Sequence, residues 1–407
     1  MRDILPADQA RRQTAVTALR DEFARWGYRE VATPTLEYLD TFVRGAGQGV
    51  TDRLFKIVDR GGALLALRPE MTVPIARLAA TRMLADATLP LRLSYVAPVF
   101  RGQEAGSRMR EFVQVGVELI GVPGMDADAE VIALALAALR RAGAAGTVAH
   151  IGHLGLLAEW LDALPEDQRD DVRTRLYRKE FVQIDDGVGD AELSALLRIL
   201  PDLHGPGALE RAERFAISPR SRAALDELAA VFDRMAEYGF ADAVEIDFGI
   251  LRDFSYYTGI VVEAYGAGTG YPVLGGGRYD TLLGRFGPNS PATGFAIGLD
   301  RMVDTIPQTP TSAADLILAG NTTDRARLVA LATKLRNDGM RVVMAVGCSW
   351  AEGLRLARHA PAAWLACPDG SGVRLHEVDS GRDVVADADE IGAVIAENQR
   401  KMTTWMR

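Results

Sequence analysis

The stretch EFVQVGVEL, residues 111–119, has the two-residue period of a β-strand. Val113, Val115, Val117 and Leu119 share one face and need cover from helices. Gln114, Gly116 and Glu118 share the other. At the rise of an extended strand the two polar groups stand ~13 Å apart, with a residue lacking a side chain between them. That spacing predicts an open floor on which a small ligand could lie. A solvent-facing strand with an incidental glycine explains the same letters.

Four neighbouring stretches bear on the choice. LSYVAPVFR, residues 93–101, puts Tyr95, Ala97, Val99 and Arg101 on one face, and an arginine ending an apolar strand suits an anion or the plain surface. LRPEMT, residues 67–72, runs from a strand into a helix, with Thr72 as the predicted N-cap and Glu70 near the positive helix end. That structural role alone accounts for both residues. RDFSYYTGIVVE, residues 252–263, carries Arg252 and the pair Tyr256-Tyr257 ahead of a buried strand, where tyrosines also serve as packing residues. GGGRYDTLLGRFG, residues 275–287, precedes ATGFAIGLDRM, residues 292–302. Consecutive glycines let the backbone approach a ligand. Their spacing fits neither the Rossmann fingerprint nor a P-loop, so a dinucleotide fold is excluded.

These residue types are what a pocket for a free amino acid needs. An ammonium calls for a carboxylate, and a carboxylate calls for an arginine or N–H groups. An imidazole needs hydrogen-bond partners and a flat aromatic wall. Glu70, Thr72, Gln114, Glu118, Arg252 and the two tyrosines supply them.

Composition narrows the class. The chain has 407 residues, 48% hydrophobic and 25% charged, within the ordinary globular range. Two cysteines, Cys348 and Cys367, are too few for a disulfide framework or a cysteine zinc site, and the five histidines show no metal-site spacing, so no metal is expected. A net charge of −9 leaves no globally basic nucleic-acid surface. The start MRDILPADQARRQ lacks the apolar core of a signal peptide, and the run from Val131 to Leu139 is far shorter than a membrane span. A cytoplasmic location and no membrane partner are the expectation.

Along the chain, Val16, Leu19, Phe23 and Trp26 mark a first helix closed by Gly27, and residues 54–58 and 63–67 form a hairpin around Arg60-Gly61-Gly62. Strands at 91–101 and 111–120 lead into a helix capped by Asp126 or Asp128. Residues 153–240 read as a helical insertion. Adjacent strands with short polar connections predict an α+β core with an antiparallel or mixed sheet and helices packed on one side. The predicted core is 1–305. After a linker at 305–312, strands and helices alternate, which predicts a small α/β domain over 312–407.

In their order, LRPEMT, YVAPVFRGQEAGSRMREFVQVGVELIG, RDFSYYTGIVVE, GGGRYDTLLGRFG and ATGFAIGLDR resemble the catalytic core of histidyl-tRNA synthetase over about residues 1–305. The resemblance implies a class II synthetase fold, an antiparallel sheet flanked by helices. It implies a histidine pocket of Glu70, Met71, Thr72, Arg101, Gln114, Glu118, Arg252, Tyr256 and Tyr257. It also implies a homodimer to which the first helix and the stretch through Pro34 contribute, and Arg101 and Arg301 beside a nucleotide.

The departures point to one branch. Where the synthetases read Arg-Gly-Leu-Asp-Tyr-Tyr, this chain has Arg252-Asp253-Phe254-Ser255-Tyr256-Tyr257. A carboxylate at Asp253 beside a reacting phosphate costs a few kcal/mol at an effective dielectric of ~20. The loop GQEAGSR lacks the usual lysine. From residue 312 onward, 12 Lys+Arg balance 12 Asp+Glu, so the last domain resembles an anticodon-binding domain without its charge footprint. This combination resembles the ATP phosphoribosyltransferase regulatory-subunit family, a synthetase paralogue of histidine biosynthesis. The family implies no catalytic residues, no cofactor and no bound tRNA. It implies a hetero-oligomer with the short-form catalytic ATP phosphoribosyltransferase, activation of that partner, and a part in feedback by L-histidine. A divergent active histidyl-tRNA synthetase is the alternative.

Overall fold

The computed structural model describes residues 3–86, 88–102, 110–177, 180, 188, 191–216, 218–250, 256–307, 314–359 and 362–395. The chain divides into two compact units, 1–307 and 308–407.

In the first unit, helix α1 (Pro6–Arg25) starts on a proline, whose missing N–H costs nothing there. It buries Ala15, Val16, Leu19 and Phe23, and Gly27 at φ +82° turns the chain out of it. Strand β1 (Arg29–Glu30) follows, then β2 (Leu36–Tyr38), α2 (Leu39–Ala46), and the hairpin β3 (Lys56–Val58) and β4 (Leu64–Leu67). The three strands β2, β4 and β3 form a small antiparallel sheet. Helix α3 (Thr72–Leu78) leads to β5 (Leu91–Phe100), β6 (Glu111–Ile120), α4 (Met125–Arg141) and β7 (Val148–His153).

The helical insertion holds α5 (Leu154–Asp162), α6 (Glu166–Tyr177), α7 (Ala191–Ile199), α8 (Ala208–Glu213) and α9 (Pro219–Glu237). Helix α9 opens with a capping box between Ser218 and Ser221. Then come β8 (Val244–Ile246), β9 (Ile260–Tyr265), β10 (Pro272–Arg278), β11 (Ala292–Gly298) and α10 (Leu299–Thr305).

Eight strands make one sheet in the order β1-β5-β6-β11-β10-β9-β7-β8. Neighbours from β5 to β7 pair antiparallel, while the short strands at the two edges pair parallel, so the sheet is mixed. Its core reaches both faces. Val115, Val117 and Leu119 pack under α1 and α4 with the insertion. The opposite face is covered as well, by Phe42 of α2, Val73 and Ile75 of α3, and Tyr95, Tyr256 and Tyr279. The expectation of helices on one side only is therefore corrected. Gln114, Gly116 and Glu118 lie beneath this second layer and not in solvent.

The second unit carries β12 (Ala314–Gly320), α11 (Arg325–Asn337), β13 (Val342–Val346), α12 (Trp350–His359), β14 (Ala362–Asp369), β15 (Gly372–Glu377) and β16 (Asp383–Ala386). Its sheet order is β13-β12-β14-β15-β16, parallel around β12 and antiparallel beyond β14. Sequence patterning missed β16, a short edge strand of only four residues. Among the described residues no helix is long and apolar enough to cross a membrane.

Candidate functional site

The pairing of β5, β6 and β11 builds the site. Tyr95 stands directly across from Gly116, and Glu118 from Gly294. A Cβ at Gly116 would come within 2.5 Å of the Tyr95 hydroxyl. The expected open floor is therefore occupied: the glycine makes room for a tyrosine of the next strand. Gly294 likewise leaves space for the Glu118 carboxylate, which lies against it.

Glu118 is 1% exposed. Its Oε1 accepts from the Thr72 hydroxyl at 3.0 Å and from Tyr95 at 3.5 Å, and its Oε2 accepts a short hydrogen bond from Tyr279. Glu70, at 3%, lies at the start of α3. Its carboxylate accepts from the backbone N–H of Thr72 at 2.7 Å and of Val73 at 2.9 Å. Met71 holds the N-cap position, the Glu70 carboxylate satisfies the first N–H groups, and the expectation that Thr72 caps the helix is corrected. The Thr72 hydroxyl reaches Glu118 and also meets Glu70 and Tyr256, while the glutamate two residues earlier satisfies the first N–H groups.

Two carboxylates thus share a buried space. Burial pushes the Glu118 carboxyl up to about 8, and the charge on Glu70 adds to the rise, against the pull of Tyr279, Thr72 and Tyr95. Burial also raises Glu70, opposed by its two N–H donors and by Arg101. Burial lifts the hydroxyls of Tyr95, Tyr256 and Tyr279 well above the usual tyrosine range, so all three remain donors.

The tyrosines form the walls. Tyr256 reaches Glu70 at 3.5 Å and meets Tyr257 at a ring separation of 4.8 Å. Tyr279 packs edge-on to Tyr256 at 5.9 Å. Gln114 is 8% exposed, and its Oε1 has no hydrogen-bond partner among the described residues. Met71 is buried in the core beside this cluster. Arg101 rests on Phe112, 5.1 Å from the ring centre, and donates to the Pro69 carbonyl at 3.0 Å. Arg301 lies elsewhere, over Tyr271 at 5.4 Å and donating to the Pro272 carbonyl at 3.3 Å.

The structure thus brings together Glu70, Thr72, Glu118, Tyr256 and Tyr257, with Met71, Gln114 and Arg101 on elements beside them. Arg252, Asp253 and Ser255, like the loop residues 103–109, lie outside the described residues. Sequence reasoning missed Tyr279 and the role of Tyr95. Alternation along β10 would have put Gly275, Gly277 and Tyr279 on one face. The glycine cluster does a different job from the one expected. Gly276 and Gly277 lie within β10, where a Cβ would strike the backbone of β11 and β9. They allow strands, not a ligand, to come close.

Asp126 and Asp128 do not cap α4, whose N-cap is Gly124. Asp128 instead forms a buried ion pair with Arg278 at 2.8 Å, which holds the start of α4 against the end of β10. A hollow along α1, lined by Gln13, Thr17, Asp21 and Arg141, carries no buried polar side chain. No group of acidic, histidine or cysteine residues among the described ones could hold a metal.

Comparison with known proteins bears on the family and the fold. The histidyl-tRNA synthetase family model matches residues 1–302. A protein of Desulfitobacterium hafniense named ATP phosphoribosyltransferase regulatory subunit is 41% identical, over 84% of this chain and 90% of its own. One of the same name from Moorella thermoacetica is 43% identical, with 84% and 90% covered. A crystal structure from Bacillus halodurans, described as an ATP phosphoribosyltransferase regulatory subunit/histidyl-tRNA synthetase, is 33% identical with a TM-score of 0.78, over 91% of this chain and 97% of that one. The mixed sheet flanked by helices is the class II synthetase-like fold of that family. The chain belongs to the histidyl-tRNA synthetase family and, within it, to the ATP phosphoribosyltransferase regulatory subunits.

Proposed function

We propose that the chain is a non-catalytic subunit that activates a short-form catalytic ATP phosphoribosyltransferase and takes part in feedback by L-histidine at the first step of histidine biosynthesis. One observation carries this reading. Gln114 presents a buried, unpartnered oxygen on the same face of β6 as Glu118, whereas Arg101 and Arg301 are engaged by carbonyls of the chain itself. A buried acceptor without a donor is costly, and a ligand N–H removes the cost.

In this reading the imidazole lies against the tyrosine cluster with its N–H toward Glu118. The ammonium lies toward Glu70 and Gln114, and the ligand carboxylate toward Arg252 and Arg101. Histidine then alters the partner only through unequal affinity for two assembly states. A tenfold difference corresponds to about 1.4 kcal/mol of coupling. The core, 1–305 with its helical insertion at about 153–240, forms a homodimer inside a cytoplasmic hetero-oligomer, and the domain 312–407 binds no tRNA.

Co-purification with the catalytic partner, followed by an assay of phosphoribosyl transfer with and without this chain, tests the proposal. Activity that depends on the chain and falls with histidine supports it. Activity indifferent to the chain overturns it. The second reading, a divergent active synthetase, draws on the retention of Arg101 and Arg301. Histidine-dependent pyrophosphate exchange by the purified chain would establish it.

A further inference from the structure

Glu118 is held by the Thr72 and Tyr279 hydroxyls, by a Tyr95 hydroxyl at 3.5 Å that also lies 3.4 Å from the Phe295 carbonyl, and by no cation among the described residues. The groups facing it are Thr72 and Glu70 from the start of α3, Tyr95 from β5, Tyr279 from the end of β10, and Tyr256 ahead of β9, with Tyr257 behind Tyr256 acting on the other tyrosines. Tyr28, after α1, senses its charge from farther off. The described arginine nearest this cluster, Arg101, acts on Glu70. The donors are unequal. Thr72 and Tyr95 share Oε1, while Tyr279 alone holds Oε2. Tyr279 cannot swing away. It is 2% exposed, its backbone N–H donates to the Ala292 carbonyl at 2.8 Å, and its ring is locked edge-on to Tyr256.

We propose that Tyr279 is a positioning residue that fixes Glu118 as the carrier of one exchangeable proton, so that the pocket selects a basic azole ring over rings of the same shape that cannot accept that proton. The inference rests on the reading that histidine occupies this pocket. In the empty site Glu118 is protonated at neutral pH, since burial raises its carboxyl to about 8. When a neutral imidazole enters, the Glu118 O–H bond breaks and an N–H bond forms on the ring. The product is a carboxylate–imidazolium pair, and no proton passes to or from solvent.

The pH dependence follows. Below about 6.5 the free imidazole is already charged. Binding then expels the Glu118 proton, and affinity falls as pH falls. Above about 8 the empty Glu118 is ionised. Binding must then take up a proton, and affinity falls as pH rises. Tyr279→Phe keeps the ring but removes a donor to the ionised form. The high-pH limb then moves upward by about one pH unit.

The test is calorimetric titration of the full chain with L-histidine between pH 5.5 and 9.5, in buffers of different ionisation enthalpy. The ligand's own ammonium titrates identically for every variant, so differences report the pocket. The proposal expects no buffer dependence near pH 7.3, an upward-shifted limb in Tyr279→Phe, and about thirtyfold weaker binding of the weakly basic 1,2,4-triazole-3-alanine at pH 7. A Tyr279→Phe profile that superposes on the wild type, or equal binding of the two ligands, overturns it. Should the variant fail to fold, the wild-type buffer dependence and the triazole comparison decide alone. Histidine binding that is indifferent to Glu118→Gln in both strength and profile defeats the pocket reading itself. Binding that needs Glu118 but ignores Tyr279 defeats only this inference.

Discussion

The acidic cluster around Glu118 and the two arginines outside it treat their polar groups in opposite ways. Around Glu118 carboxylates and hydroxyls are buried, and farther along the same face of β6 the Gln114 amide oxygen is buried without a donor. Outside that cluster, Arg101 after β5 and Arg301 on α10 lie on aromatic rings and donate to main-chain carbonyls. An unsatisfied buried acceptor destabilises the fold, so its persistence points to a ligand. An arginine that already has partners and solvent costs little to keep. Retention of arginines therefore says less about nucleotide use than the state of the acidic cluster says about amino-acid binding.

Substitutions sharpen or break that contrast. Gly294→Ala has the largest expected effect, since a Cβ there strikes the Glu118 carboxylate and the Val117 carbonyl. Thermal or urea denaturation should show a loss of about 3 kcal/mol, and histidine titration should show no binding. A stable variant with normal affinity would mean the acidic cluster is not tightly built. Glu118→Ala follows, with about a hundredfold loss of histidine affinity by calorimetry, the scale of a hydrogen bond to a charged group. Unchanged affinity would put the ligand elsewhere.

The empty protein's stability carries a third prediction. The folded Glu118 carboxyl titrates near 8, above its ordinary value of 4.5, so the native state holds more protons than the unfolded chain between those limits. Its contribution is fully present below pH 4.5 and is lost as pH rises toward 8. Wild type should lose about 2 kcal/mol between pH 6 and pH 8 relative to Glu118→Gln in paired denaturation curves. Parallel curves would show that burial does not strain this carboxyl. The smallest effect belongs to the arginines: Arg301→Ala should change histidine affinity by less than about twofold. A tenfold loss would erase the contrast.

Much of this was legible in the sequence for a plain reason. The period of two in EFVQVGVEL sorts β6 into a helix-covered face and a polar face, and both assignments hold in the fold. What escaped was the second layer. A single strand's alternation cannot say that Tyr95 of its neighbour fills the space above Gly116, since that depends on cross-strand register. Tyr279 escaped because the glycines before it drew the functional reading. Only the sheet shows that Gly276 and Gly277 serve strand packing. Asp128 looked like a cap from its place before a helix, but its partner Arg278 lies 150 residues away. Local capping rules do not see such a pair.

The central claim is that the acidic, tyrosine-walled cluster holds free histidine while no adenylate forms beside it. A crystal of the full chain soaked with L-histidine and ATP tests it most directly. The account predicts an intact histidine, its ring against the tyrosine cluster with a nitrogen on Glu118 and its ammonium near Gln114. A histidyl-adenylate joined across the Arg101 side, or histidine bound anywhere else on the chain with this pocket empty, would contradict it.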